Sequence, residues 1–160
     1  MALISIDWLL LVFLKVCDAV AYAHDRGVLH RDLKPDNVML GAFGEVFVMD
    51  WGLARVGDGH GQAPAEAEDE ASGSSSVRSV RPDSGRLTAA GSLVGTPGYM
   101  APEQARGTEA LDERADVFAL GAILYEMLTL RPAIEGERGS VRLVRTINEC
   151  PPPPHERAPE

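Results

Sequence analysis

Apolar and polar positions along the chain fall into three rhythms. Over residues 4–24 the apolar residues recur at helical spacing, so that Leu10, Phe13, Leu14, Cys17, Ala21 and Tyr22 share one broad face while Lys15, Asp18 and Asp25 lie elsewhere. Arg26-Gly27 then predicts the end of that helix, glycine being favoured just past a helix terminus. Residues 38–40 and 46–49 are short apolar runs joined by Gly41-Ala42-Phe43-Gly44-Glu45, the pattern of two strands and a turn. Over residues 112–130 the band Val117, Phe118, Leu120, Gly121, Ile123, Leu124, Met127 and Leu128 is too wide for a surface helix and predicts a buried one. A shorter helix is expected over 141–147, closed by the proline run Pro151 to Pro154.

Composition changes this picture most between residues 57 and 91. Residues 57–71 hold five acids and no Lys or Arg, and residues 72–91 hold three Arg against one acid, with Gly, Ala, Ser and Pro filling the rest. Such a stretch has little to bury, which predicts a mobile insert. The whole chain, 160 residues with 45% hydrophobic content, is long enough for one domain with a real core. Its net charge of -9 argues against a non-specific nucleic-acid binder, whose basic surface displaces counterions from phosphates. Cys17 and Cys150 stand alone, without Cys-x-x-Cys spacing, so neither a disulfide framework nor a zinc site is suggested and a reducing cytoplasm is the expected setting. The uninterrupted apolar run of residues 8–14 is far below the roughly 20 residues that a membrane span needs.

The chemistry concentrates in His30-Arg31-Asp32-Leu33-Lys34-Pro35-Asp36-Asn37, in Asp50-Trp51-Gly52, and in Gly95-Thr96-Pro97-Gly98-Tyr99-Met100-Ala101-Pro102-Glu103. These motifs, in this order, resemble the catalytic loop, metal-binding turn and activation-segment anchor of a protein kinase, and the phrases Val48-Met49-Asp50-Trp51-Gly52-Leu53-Ala54 and Ala101-Pro102-Glu103-Gln104-Ala105-Arg106-Gly107 resemble bacterial serine/threonine members. The resemblance implies a mainly α fold with a small β hairpin, a protein-kinase-like C-lobe with the N-lobe absent. It extends from about Leu10 to Pro132 and implies a partial kinase domain over residues 1–135, with the insert at about 57–91 as an enlarged activation segment and 136–160 as a poorly defined Pro-rich tail.

Within the resemblance Asp32 orients or accepts the proton of the attacking hydroxyl, Lys34 sits beside the transferring phosphate, and Asn37 with Asp50 offers oxygen ligands to Mg2+, of which the family site takes two. Thr96 is expected to bond near Asp32 and Lys34, as in serine/threonine-specific enzymes, and Met39 to contribute to the floor beneath the adenine of ATP. Ser92, and second to it Thr88, stand at the usual activating phosphosite, where a phosphate would pair with Arg31. Trp51 is expected to pack on His30, Glu103 to need an arginine partner, and Asp116 to accept backbone N–H groups around His30 and Arg31 rather than serve only at a helix start.

Gly41 to Val46 also resembles the tail of a kinase glycine-rich loop, but Met39 stands where the first glycine belongs, and a hairpin turn is the better reading. The chain's only lysines are Lys15 and Lys34, neither placed to grip nucleotide phosphates, and the sequence before the first helix leaves no room for an N-lobe. The expected function is therefore ATP-dependent transfer to Ser/Thr hydroxyls of a protein substrate by a truncated fragment or one part of a split enzyme, with an N-lobe-bearing chain as partner. The alternatives are a non-catalytic kinase-like docking module and an inactive remnant.

Overall fold

A computed structural model describes residues 5–56, 94–108 and 110–158. The whole insert expected at 57–91, with Thr88, and Ser92 just after it lie outside the described residues. The elements in order are α1 (Ile6–His24), β1 (Val28–Leu29), β2 (Val38–Leu40), β3 (Val46–Val48), β4 (Arg55–Val56), α2 (Pro102–Ala105), α3 (Glu113–Thr129) and α4 (Gly139–Asn148), with 3-10 turns at Pro35–Asn37, Trp51–Leu53 and Pro154–Glu156. Two antiparallel ribbons, β1 with β4 and β2 with β3, carry the strands.

Helix α1 begins where the Ser5 hydroxyl accepts the Trp8 N–H at 3.3 Å, satisfying one of the donors a helix start leaves over. It ends at His24 with Gly27 just beyond at φ +69, a value that favours glycine. Its buried stripe is Val16, Val20 and Ala23 with Phe13 packed alongside, whereas Leu10, Leu14, Ala21 and Tyr22 from the expected face are exposed. The helix is apolar around most of its circumference, so spacing alone cannot choose the inward side. Among the described residues no helix is long and apolar enough to cross a membrane.

Helix α3 is capped by Asp112, whose carboxylate accepts the Arg114 N–H at 2.9 Å. It buries Ala115, Asp116, Ala119, Ala122, Ile123, Tyr125 and Thr129, while Val117 and Gly121 face outward. The inward face is thus built largely from alanines, whose short side chains let α1 and α3 approach closely. Between the two helices lies the main core, Val16, Val20, Ala119 and Ile123, and the fifth member is Leu33 of the His30–Asn37 loop, 1% exposed. Burying Leu33 is worth about 1.5–3 kcal/mol, and it drives the loop that carries Asp32 and Lys34 down onto the helices.

The β2–β3 hairpin has the register Val38 with Val48, Met39 with Phe47 and Leu40 with Val46. Val38, Val46 and Val48 pack against the core, and Met39 and Phe47 look outward. At the turn Gly44 takes φ +85, Gly41 N–H donates to the Glu45 carbonyl at 2.8 Å, and Lys15 reaches from α1 to the Gly44 carbonyl at 2.7 Å. The stretch that resembles a glycine-rich loop is therefore a hairpin turn pinned to α1.

The region expected as a poorly defined tail holds α4 and the Pro154–Glu156 turn, which rests on α3. Arg157 donates to the Pro132 carbonyl at 3.5 Å and pairs with Glu135 at 3.4 Å. A proline run cannot continue a helix, but here it carries the chain back to contacts that hold it.

Candidate active site

The site is assembled around one buried carboxylate. Asp116, 1% exposed on the first turn of α3, accepts the backbone N–H of His30 on Oδ2 and of Arg31 on Oδ1, each at 2.8 Å. Its Oδ2 also lies 2.8 Å from Nε2 of His24 at the end of α1. The bonds to His30 and Arg31 are those expected from the sequence, and His24 is an additional partner. A buried carboxylate is very costly without such partners, and here three groups from two elements converge on it.

Arg31 is consequently held from three directions. Its φ of +67 is left-handed, a conformation that costs a non-glycine residue roughly 1–2 kcal/mol. Its N–H is bound by Asp116, its carbonyl accepts from Gln104 Nε2 at 2.5 Å, and its Nε donates to the Leu53 carbonyl at 2.7 Å. These contacts over-determine the turn and keep the strained backbone in place.

His30 is wholly buried, and its ring centroid lies 4.6 Å from that of Trp51, tilted by 58°, the packing expected of this pair. Its Nδ1 lies 3.3 Å from the Asp32 N–H, a fixed donor, so that nitrogen must be bare. The ring proton then sits on Nε2 and donates to the Met49 carbonyl at 3.0 Å, linking the catalytic loop to the residue before Asp50. Nitrogen-15 NMR of the His30 ring is expected to show Nδ1 as the unprotonated nitrogen; a protonated Nδ1 near neutral pH would overturn this assignment.

From this base the loop presents Asp32 and Lys34, with side chains 9% and 19% exposed and 3.2 Å apart. The Thr96 hydroxyl stands between them, donating to Asp32 Oδ1 at 2.7 Å and accepting from Lys34 Nζ at 2.9 Å. A single hydroxyl thereby fills one donor and one acceptor role, and the three side chains form a closed triangle in a partly buried setting where charge is less screened than at the surface.

Asn37 is buried, with Nδ2 donating to the Asp32 carbonyl at 2.8 Å and its own carbonyl accepting the Met49 N–H at 2.7 Å. Its amide oxygen is the end left over, and no hydrogen bond to it occurs among the described residues. Asp50 is exposed and left-handed, φ +61 and ψ +57. A Cβ at Gly52 would stand 3.2 Å from Asp50 Oδ1, so glycine there leaves the carboxylate its room. Among the described residues no group of three or more His, Cys, Asp or Glu could hold a metal. An amide oxygen and a carboxylate instead suit Mg2+, which keeps several waters and takes further oxygens from phosphates.

Other expected site residues lie apart from the triangle. Met39 is 48% exposed on the outer face of the hairpin. Glu103 sits in the first turn of α2, and its carboxylate makes no ion pair among the described residues. Ser92 and Thr88 are outside the described residues, and among those described the Arg31 guanidinium serves the Leu53 carbonyl.

Four bonds had no forewarning in the sequence: that of His24 to Asp116, the two from Gln104, and that from the Tyr99 hydroxyl to Glu126 Oε2 at 2.5 Å. Each joins residues far apart in the chain or within a motif of other apparent use. Burial first, and then the bond to the Glu126 carboxylate, push the Tyr99 phenol well above the usual tyrosine range. With the folded value raised, the stability contributed by the buried, protonated phenol is fully present below the ordinary phenol pKa of about 10 and is lost as pH rises from there through the raised value. Tyr99→Phe is expected to remove one late-titrating phenol from the tyrosinate absorbance and to cost about 1–3 kcal/mol in denaturant unfolding; an unchanged titration curve would refute the assignment.

Comparison with known proteins bears on the same residues. Residues 3–152 match the family model of the protein kinase domain. The chain is 49% identical over 126 residues to the serine/threonine-protein kinase PknD of Chlamydia trachomatis, an alignment covering 79% of this chain and 13% of that protein. It is 48% identical over 127 residues to the PknD of Protochlamydia amoebophila, covering 79% of this chain and 12% of the relative. The chain thus spans about an eighth of the length of the curated relatives it matches. With the His30–Asn37 loop anchored on Asp116 as described, this chain belongs to the protein kinase domain family, and the relatives named above are serine/threonine-protein kinases.

Proposed function

We propose that this chain carries the catalytic-loop half of an ATP-dependent protein kinase that phosphorylates Ser/Thr hydroxyls of proteins. The observation that carries the reading is the triangle of Asp32, Thr96 and Lys34. Phosphoryl transfer asks a protein chiefly for positioning and charge. Asp32 would orient the attacking hydroxyl and receive its proton, and Lys34 would offset the charge of the migrating phosphoryl group. Thr96 fixes the distance between them and ties the segment that faces the substrate to the loop. Asn37 and Asp50 would hold Mg2+, which would supply positive charge to offset that of the nucleotide phosphates. Met39 would form part of the floor beneath the adenine.

The kinase lobe proper is read as residues 1–135, with 136–160 as an appended tail and Ser92 or Thr88 as the activating phosphosite. A further lobe, in the same polypeptide or on a second chain, would roof the nucleotide, since a ligand binds tightly only when most of its surface is enclosed. The cytoplasm is the proposed setting. A non-catalytic docking role is the second reading, favoured by the open apolar hairpin face of Met39, Phe43 and Phe47, with Phe43 94% exposed.

Incubation with radiolabelled ATP, Mg2+ and a generic protein substrate tests the proposal. Label is expected on serine or threonine of the substrate, from the chain itself or from the chain joined to a glycine-rich-loop lobe. No transfer from either preparation would sink the kinase reading and leave the docking one.

A further inference from the structure

Gln104 lies immediately after the Ala-Pro-Glu motif, is 5% exposed, and directs its side chain away from the solvent and into the loops above α2. Its one amide nitrogen donates twice, to the Arg31 carbonyl at 2.5 Å and to the Val94 carbonyl at 2.6 Å. The first acceptor belongs to the catalytic loop and the second to the described end of the segment that carries Thr96. A primary amide has two N–H groups, and here each is spent on a different loop.

A second observation points to the same spot. A Cβ at Gly95 would stand 2.7 Å from Gln104 Nε2 and 2.9 Å from the Arg31 carbonyl oxygen, inside the hydrogen bond itself. Gly95 also has φ +120. The glycine is therefore the opening through which Gln104 reaches Arg31. One residue further along each strand of chain, Thr96 bonds to Asp32. Gln104 thus sets the register of residues 94–96 against residues 31–32, and the triangle inherits that register.

Resting on the kinase reading above, we propose that Gln104 is a positioning residue for phosphoryl transfer: its carboxamide clamps the Val94–Thr96 strand of the activation segment to the catalytic loop and so fixes Thr96 against Asp32 and Lys34. Glutamate has the same shape, but it places acceptor oxygens against two carbonyls. Methionine keeps the length and offers no donor at all.

Gln104→Met and Gln104→Glu in the full chain, joined to the nucleotide-roofing lobe for kinetics, provide the test. Amide hydrogen exchange is expected to quicken about tenfold at Asp32, Tyr99 and Met100, whose N–H groups bond within the clamped loops, while Ile123 in the core of α3 exchanges as before. The kcat for phosphate transfer is expected to fall about tenfold with KM for ATP unchanged. Exchange unaltered in both variants would show that there is no clamp, and equal quickening at Ile123 would reduce Gln104 to a general stabilising residue. Faster local exchange with an unchanged kcat would remove the positioning role. Should the unmodified protein transfer no phosphate, the kinase reading fails and the exchange pattern alone decides whether the clamp exists.

Discussion

Asp32→Asn is expected to lower phosphate transfer by roughly 10²–10⁴-fold while leaving the fold intact. The amide oxygen can still accept from the Thr96 hydroxyl, so the 2.7 Å bond that closes one side of the triangle has a substitute. The other side does not. An Asn amide nitrogen turned toward Lys34 Nζ, now 3.2 Å from a carboxylate oxygen, sets donor against donor. The group that would receive the hydroxyl proton is gone as well. Steady-state transfer to a serine peptide, together with a thermal unfolding curve, separates loss of chemistry from loss of structure. Retention of even a tenth of the activity would remove Asp32 from its proposed role.

Asp116→Ala should act in the opposite manner, through the fold. It strips the acceptor from the His30 and Arg31 N–H groups and from His24, two of them backbone donors beside a buried ring. Each orphaned buried donor costs about 1–3 kcal/mol, so a loss of about 3–5 kcal/mol is expected, a large part of the 5–15 kcal/mol that holds a typical domain together. Asp116→Asn keeps one oxygen and should cost less. Urea unfolding of the two variants gives the comparison. A loss under about 1 kcal/mol in Asp116→Ala would mean that water replaces the carboxylate and that the loop is not anchored as described.

Both effects start from residues that the sequence made visible. The His30–Asn37 motif has fixed spacing and polar residue types that serve little purpose on a plain surface turn, so Asp32, Lys34 and Asn37 stood out, and Thr96 followed from the resemblance carried by the Gly95–Glu103 motif. Asp116 was legible because a carboxylate at the head of an apolar run demands partners. The inward faces of the helices were not. In α1 nearly every side is apolar, so Leu10 and Leu14 looked as fit for the core as Val16 and Val20. In α3 the contact face is alanine, which carries weak hydrophobic signal but permits close approach. Gln104 was hidden for another reason: glutamine in a short polar stretch reads as surface, and only the fold brings two carbonyls from residues 31 and 94 to meet it.

The reach of the Asp116 bonds has a consequence for when the loop takes shape. His30 and Asp116 are 86 residues apart in the chain. At synthesis rates of roughly 5–20 residues per second, the anchoring carboxylate is made about 4–17 s after the loop it holds. Until Gln104 is made, 73 residues on, the left-handed turn at Arg31 has neither contact to offset its strain, and until Asp116 is made it lacks its anchor. The His30–Asn37 loop is therefore expected to take shape late in folding, after α3 docks against α1, since contacts of such long range are the slow ones to form. A nascent chain that stalls before Asp116 carries Asp32, Lys34 and Asn37 without the bonds that hold their loop.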